Sequence, residues 1–487
     1  MLSEKLKDFK FSYTKREDRK TILLLADDIR YHSGIATMSR EIVAGTASKF
    51  NWVILGALST HPDSGKIFDL SQSINDAIGI TDANVRLIAS SGYGDAAKIR
   101  QILASYKIDG VMMFTDPRYW TWLFEIEREI RSKIPLMYLN IWDNYPAPMY
   151  NKNYYESCDL LMAISKQTKN INEIVLGAVA KDKIIKYVPH GINENTFFPI
   201  DIDSPEYDKI LALKKELGVS DKKFIVTWNS RNIHRKKPGD VIIAYKEFCD
   251  VIGKEAASKC ALVMHTVSID TNGTDLDANI KAFCDPSYVT VHITNRSFTP
   301  EQMNHFYNMS DVTALISSNE GWGLSLTEAM MAGKMIIANV TGGMQDQLRF
   351  EDENGDWIDF TPEFPSNHRG KYKKCGSWGI PVFPSNISVM GSVPTPYIYD
   401  DRASIEDIRD AILEVYNMPQ ELRNENGLKA RQWVTSDESG MSARMMCNNV
   451  VEAVETTLNH FKPRPRFDFA KVEPQIETLI PHTLYEY

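Results

Sequence analysis

The chain predicts an α/β protein made of two parallel-sheet domains. Apolar runs of strand length alternate with helix-length stretches over most of the sequence. At 487 residues the chain is also too long for one typical hydrophobic core. The alternation that opens at 21–28 opens again at 223–228, where a second series begins.

Composition narrows the class. With 43% apolar and 24% charged residues, the chain reads as a globular protein, and no stretch reaches the roughly eighteen uninterrupted apolar residues of a membrane span. The apolar run at 21–26 stops at Asp27 and Asp28, too short for a signal-peptide core, and reads as a first strand. Cys158, Cys249, Cys260, Cys284, Cys375 and Cys447 are scattered without a C-x-x-C pair, as expected of reduced thiols in a cytoplasmic protein. The net charge of -9 argues against a dominant nucleic-acid footprint. Its acidity lies in the second half, because residues 1–195 carry 25 Lys and Arg against 23 Asp and Glu.

In the first series, the strand at 21–28 leads through Ser33, Gly34 and Ile35 into a helical pattern. A dinucleotide fold would want G-x-G-x-x-G here, and Gly34 stands alone, which counts against an NAD-dependent oxidoreductase. Further strands are expected at 52–57, 110–114, 135–141 and 159–164. Loops that follow such strands lie at the ligand edge. Two of them are chemically rich, one with Asp116, Arg118, Tyr119 and Trp120, the other with Trp142, Asp143 and Tyr145. These aromatics serve either as packing or as a platform for an acceptor.

In the second series, the strand at 223–228 is followed by Arg231, His234, Arg235, Lys236 and Lys237, then by an amphipathic helix through Val241, Ile242, Tyr245 and Phe248. Cations fixed at that place could meet a leaving diphosphate without a metal. Residues 317–330 follow the apolar run 312–316 and form a strand-loop-helix turn. Glu320 lies in the loop and Glu328 in the helix, so both can face one bound molecule. The glycines Gly321 and Gly323 leave backbone amides open to it. A local alternative exists, since Ser325 and Glu328 have the S-x-x-E spacing of a capping box.

The string from Glu320 to Gly333, with its E-x7-E spacing and G-x-G-L-x-x-x-E-A-M-x-x-G shape, resembles the signature of retaining nucleotide-sugar glycosyltransferases of the family 4 type. The resemblance implies the GT-B architecture of two facing Rossmann-like domains, with the donor held mainly by the second. It further implies that Glu328 holds the donor ribose and Glu320 faces the transferred sugar. Arg231 and Lys236 match the family's donor-phosphate cations, with Lys237 the alternative in a shifted register. Gly34 would approach the phosphates, Asn295 and Phe298 would receive the base, and Gly321, Trp322, Gly323 and Leu324 would line the donor loop. Gly342 and Gly343 match the family's glycine turn. Asp116, Arg118, Trp142, Asp143 and His190 fall on the acceptor and sugar side. Relatives often carry a histidine near the second loop, where this chain has Trp142 and Asp143. His190 lies in a segment like the family's domain-crossing stretch, where a structural role outweighs that of a base.

The expected boundaries follow. Residues 1–195 form the acceptor-side domain, completed by a returning helix and tail at about 440–487, and residues 196–439 form the donor domain. The segment at about 350–400 breaks the rhythm with Pro, Gly and aromatics and reads as an insertion. The acids at 351–356 lack a strand-anchored D-x-D, so no metal site is expected, and no cofactor beyond the nucleotide-sugar co-substrate. The acceptor would be a glycan, a lipid-linked sugar or a hydroxymethylated DNA base, because the aromatic loops also resemble those of glycosyltransferases encoded by tailed bacteriophages. A sugar-nucleotide epimerase and a non-catalytic sugar-nucleotide-binding module are the alternatives.

Overall fold

A computed structural model describes residues 6–361 and 371–467. The first domain is an eight-stranded sheet of β1 (Lys20–Asp27), β2 (Phe50–Leu58), β3 (Ile67–Asp69), β4 (Val85–Ser91), β5 (Gly110–Phe114), β6 (Leu136–Asn140), β7 (Leu160–Ala163) and β8 (Ile184–Tyr187). Their spatial order is β3-β4-β2-β1-β5-β6-β7-β8. All neighbours are parallel except β3, which runs antiparallel to β4 on the edge. The centre of β1 is apolar on both faces and buried, as a strand covered by helices on both sides must be. Leu24 there pairs with Ile54 and Met112.

The second domain repeats the plan with β9 (Phe224–Asn229), β10 (Cys260–His265), β11 (Val291–Ile293), β12 (Val312–Leu315), β13 (Met335–Asn339) and β14 (Gly379–Val382), in the order β11-β10-β9-β12-β13-β14. The stretch read as one insertion at about 350–400 therefore divides. Gly379–Val382 is an integral edge strand, parallel to β13 from Ile336↔Gly379 to Asn339↔Val382. Its Pro381 hid it in the sequence, and an edge strand is where a sheet tolerates proline. Beyond it, β15 (Asn386–Ser392) and β16 (Thr395–Arg402) form a separate antiparallel hairpin.

The chain passes between the domains twice, and the two passages touch. Ile192 N–H donates to Met441 O at 3.0 Å and Ala443 N–H to Ile192 O at 2.9 Å. The helix Gln420–Thr435 packs on the helix Leu324–Met331 of the second domain. The last helix, Ala443–His460, lies against the helix Gly34–Thr46, β7 and β8 of the first. Its Met446, Val450 and Val454 are buried, and Glu452 pairs with Lys186 at 3.0 Å. The expected tail on the first domain begins with Arg464, whose N–H donates to Arg131 O at 2.9 Å. The rest of that tail, 468–487, lies outside the described residues.

The ends of the two sheets face each other. A Cβ on Gly321, after β12, would stand 3.0 Å from Ile141 O, after β6, and one on Gly34 would stand 3.4 Å from Leu324 Cδ1. The loops at the ligand edges of both sheets thus share one cleft.

Candidate active site

Glu320 and Glu328 reach the cleft from the two ends of one loop-helix turn. The turn is held from behind by Gly342 and Gly343. Gly343 N–H donates to Glu320 O at 3.0 Å. Gly342 has φ +55, and a Cβ there would lie 2.0 Å from that same carbonyl. Only glycine fits both demands.

Glu320 is buried and collects donors: the Lys236 ammonium in direct contact, Ser317 Oγ at 3.1 Å, and Arg235 Nη1 at 3.5 Å. Arg235 is anchored by its donation to Asn319 O at 2.8 Å. Across the cleft stands Asp143 of the first domain. Burial raises the pKa of Asp143, which the Arg235 and Lys236 cations oppose, and Asp116 adds to the rise. Burial likewise presses Arg235 below the usual guanidinium value, and burial together with Arg235 presses Lys236 well below the usual ammonium value. Lys236 is buried while Arg235 keeps 42% of its side chain exposed, and two cations set this close together are a place where added negative charge is welcome.

The expected pair of cations was Arg231 and Lys236. Arg231 instead points outward, with 63% of its side chain exposed, and pairs with Asp270 at 2.7 Å. A short 3₁₀ turn, His234–Lys236, reorients the chain after Ile233 so that Arg235 and Lys236 enter the site. Lys237 follows at φ 53 and turns toward Asp400 at 3.3 Å, so the shifted register does not bring it in either. Arg235 was overlooked because only the conformation of this turn decides which cation points inward.

Glu328 belongs to a second set of contacts. Tyr307 OH donates to its Oε2 at 2.5 Å and accepts from Asn229 Nδ2 at 2.7 Å. Asn229 Oδ1 meets His265 Nδ1 at 2.9 Å, and the His265 ring stacks on Phe298 at 4.7 Å. Burial raises the pKa of Glu328 to about 7, with the Tyr307 bond pulling the other way. Burial also pushes His265 down to about 4. The capping-box alternative fails on geometry, since the helix Leu324–Met331 starts after Gly323 in a left-handed conformation with no side-chain cap. Asn295, at φ 52, accepts from Ser268 N–H at 2.7 Å and shapes the loop before Phe298.

Other expected site residues are structural in this arrangement. Trp322 is 2% exposed and donates to Thr327 Oγ1 at 3.0 Å. His190 is buried between Phe114 and Trp322, and burial lowers its pKa to about 3, so it stays neutral and acts as packing between domains. Trp142 is buried and donates to Asn144 O at 3.0 Å. Leu324 faces Gly34 across the cleft.

On the first domain's side, Ser33 caps its helix by accepting from Ala36 N–H at 2.9 Å, and its Oγ donates to Asp27 at 2.6 Å. Tyr93 OH donates to the other Asp27 oxygen at 2.6 Å, while its ring stacks on Tyr119 at 4.3 Å. Asp116 accepts from its own neighbour, Arg118 N–H, at 3.0 Å and binds the Arg118 guanidinium. Sequence reasoning missed Tyr307, Asn229 and Tyr93, although polar Asn229 at the end of a buried strand was a legible signal.

Comparisons with known proteins bear on the fold and on the sequence around the two glutamates. Residues 278–363, which include both glutamates, match the family described as Glycosyl transferases group 1. A D-inositol 3-phosphate glycosyltransferase of Corynebacterium jeikeium is 23% identical over 190 residues, 39% of this chain and 43% of that protein. The match thus spans less than half the length of that relative. The solved structure of Anabaena Alr3699/HepE in complex with UDP and glucose aligns at TM-score 0.60 and 13% identity, over 90% of this chain and 100% of that one. A glycosyltransferase from Rickettsia africae ESF-5 aligns at TM-score 0.61 and 15% identity, over 91% and 100%. The chain therefore has the GT-B fold, two Rossmann-like domains around a cleft, and carries a group 1 glycosyltransferase sequence in the second. Among the described residues no helix is long and apolar enough to cross a membrane.

Proposed function

We propose that this protein transfers a sugar from a nucleotide-diphosphate sugar to an acceptor hydroxyl, with retention of configuration and without a metal ion. One observation carries the reading: Arg235 and Lys236 converge on Glu320 in the cleft while Glu328, one helix turn onward, ends a separate polar chain through Tyr307. The first cluster offers fixed positive charge to a departing diphosphate. The second offers a carboxylate to ribose hydroxyls, with the Phe298 and His265 rings beyond it for the base. Glu320 and Asp143 flank the place left for the transferred sugar. A glycosidase would need one of its two carboxylates as an in-line nucleophile or base. Here Glu320 is tied to Lys236, so the leaving phosphate takes the acceptor proton and positioning supplies much of the rate.

A glycan or lipid-linked sugar is favoured over a DNA base as acceptor. Three arginines of the first domain are already paired with carboxylates, Arg118 with Asp116, Arg30 with Asp28 and Arg19 with Asp82. HepE's complexes with UDP make UDP-glucose the first donor to try. A thermal-shift screen over nucleoside diphosphates, followed by a nucleotide-release assay with the matching sugars, tests the proposal. Stabilisation by one diphosphate and its release from the corresponding sugar is expected; no stabilisation by any of them contradicts it.

A further inference from the structure

The hairpin of β15 and β16 is rooted in the second domain beside the Glu320 loop. Asp401 N–H donates to Ser318 O at 2.9 Å, two residues before Glu320, and Asn339 Nδ2 donates to Asp401 O at 2.9 Å. Ser318 N–H in turn donates to Arg235 O at 2.8 Å. The root of the hairpin, the Glu320 loop and the cation turn are thus one bonded unit.

From that root the hairpin crosses the cleft to the loop after β6 that carries Asp143. Tyr399 N–H donates to Tyr145 O at 2.8 Å, and Asn144 Nδ2 donates to Tyr399 O at 3.1 Å. Tyr150 OH donates to Tyr397 O at 3.0 Å, and the two rings meet edge to face at 5.0 Å. Tyr397 OH receives Met149 N–H at 3.3 Å. Ile398 and Tyr399 pack on the apolar core of the first domain beside Trp142 and Tyr145. An antiparallel pair alone is marginal in water, and this one is held along β16 by both domains, at Tyr397 and Tyr399 by the first and at Asp401 by the second.

We propose that this hairpin is a strap by which the donor domain sets the acceptor loop, with Asn144, Tyr150 and Tyr397 as positioning residues that hold Asp143 opposite Arg235 and Lys236. The inference rests on the proposed function for its catalytic consequence and on the hydrogen bonds alone for the strap. Asp143 is next to Asn144 in the chain, and its own carbonyl is held from the other side by Gln167 Nε2 at 2.6 Å. Freed from the strap, the loop would keep that anchor and lose its registration against the second domain. Displacement of a positioning group by an ångström costs about a hundredfold in rate at the upper end.

The test is the double variant Asn144→Ala/Tyr150→Phe, which removes two side-chain bonds to the hairpin and keeps the Tyr150 ring. Hydrogen exchange needs no substrate and reads the strap directly. Faster exchange is expected in 142–151 and 395–402, with the strands of both sheets unchanged. Turnover of UDP-glucose should fall about tenfold or more, while UDP affinity stays at the wild-type value. Tyr150→Phe with Asn144 intact should recover part of the loss. Unchanged exchange in both segments overturns the strap. Faster exchange with unchanged turnover overturns the positioning role. A wild type that neither binds UDP nor turns over any nucleotide sugar fails on the proposed function instead, and the exchange result still decides the strap.

Discussion

Tyr307 OH donates to Glu328 Oε2 at 2.5 Å, joining the helix Pro300–Asn308 to the helix of the central motif. The bond fixes a carboxylate that is no helix cap, and it opposes the burial that raises the pKa of Glu328 to about 7. Because the folded value lies above the unfolded one, the folded state binds more protons between pH 4.5 and 7. Stability from this group is full below the unfolded value and is lost as pH rises through about 7. Glu328→Gln should therefore gain on the wild type by roughly 3 kcal/mol at pH 8 and by little at pH 4.5. Thermal melts across that range check it.

Ribose hydroxyls donate, and donation favours the charged carboxylate. Nucleotide affinity should rise with pH through about 7 in the wild type and stay flat in Glu328→Gln. Titration calorimetry at pH 6 and pH 8 reads this directly.

Arg235 and Arg231 are separated by the 3₁₀ turn that sends one into the cleft and leaves the other on Asp270. Arg235→Ala should lower kcat/KM by about a hundredfold, the scale of a lost transition-state donor. Arg231→Ala should change it only a few-fold. Steady-state kinetics of both variants decide which guanidinium meets the diphosphate, and EDTA should leave the wild-type rate unchanged.

Gly342 supports Glu320 from behind. Gly342→Ala would add a Cβ 2.0 Å from Glu320 O at φ +55, so it should destabilise by about 1–3 kcal/mol and disturb Glu320. Denaturant melts and donor turnover should both register the change.

Asp346 is buried between the domains, where its Oδ2 accepts from Lys166 N–H at 2.9 Å and Tyr187 OH at 3.0 Å. Burial raises its pKa to about 7, so its contribution too is lost as pH rises through that value. Asp346→Asn should remove this part of the pH slope, with or without nucleotide, whereas the slope owed to Glu328 should respond to nucleotide.

The parts of the site that were legible in the sequence are those compressed into one local string. Glu320 and Glu328 fall on either side of a glycine loop between a buried strand and a helix, and spacing alone brings them to one edge. The cations were harder, because five positions, 231 to 237 without the two apolar or amide residues between, offered charge, and the backbone turn selects among them. Tyr307 and His265 are distant in sequence from Glu328 and join it only through the order β10-β9-β12. β14 was concealed because four residues with a proline carry no period, and its strand character comes from pairing with β13. The hairpin lacked a core pattern for a related reason: Val389, Met390 and Val393 are exposed, and its role lies in backbone bonds to another domain.

The central claim is the division of labour between the two glutamates, and UDP titration beside UDP-glucose turnover in Glu328→Gln and Glu320→Gln tests it most directly. Glu328→Gln should lose UDP affinity, while Glu320→Gln should bind UDP like the wild type and lose turnover. Equal loss of UDP affinity in both variants, or full turnover in Glu320→Gln, would contradict it.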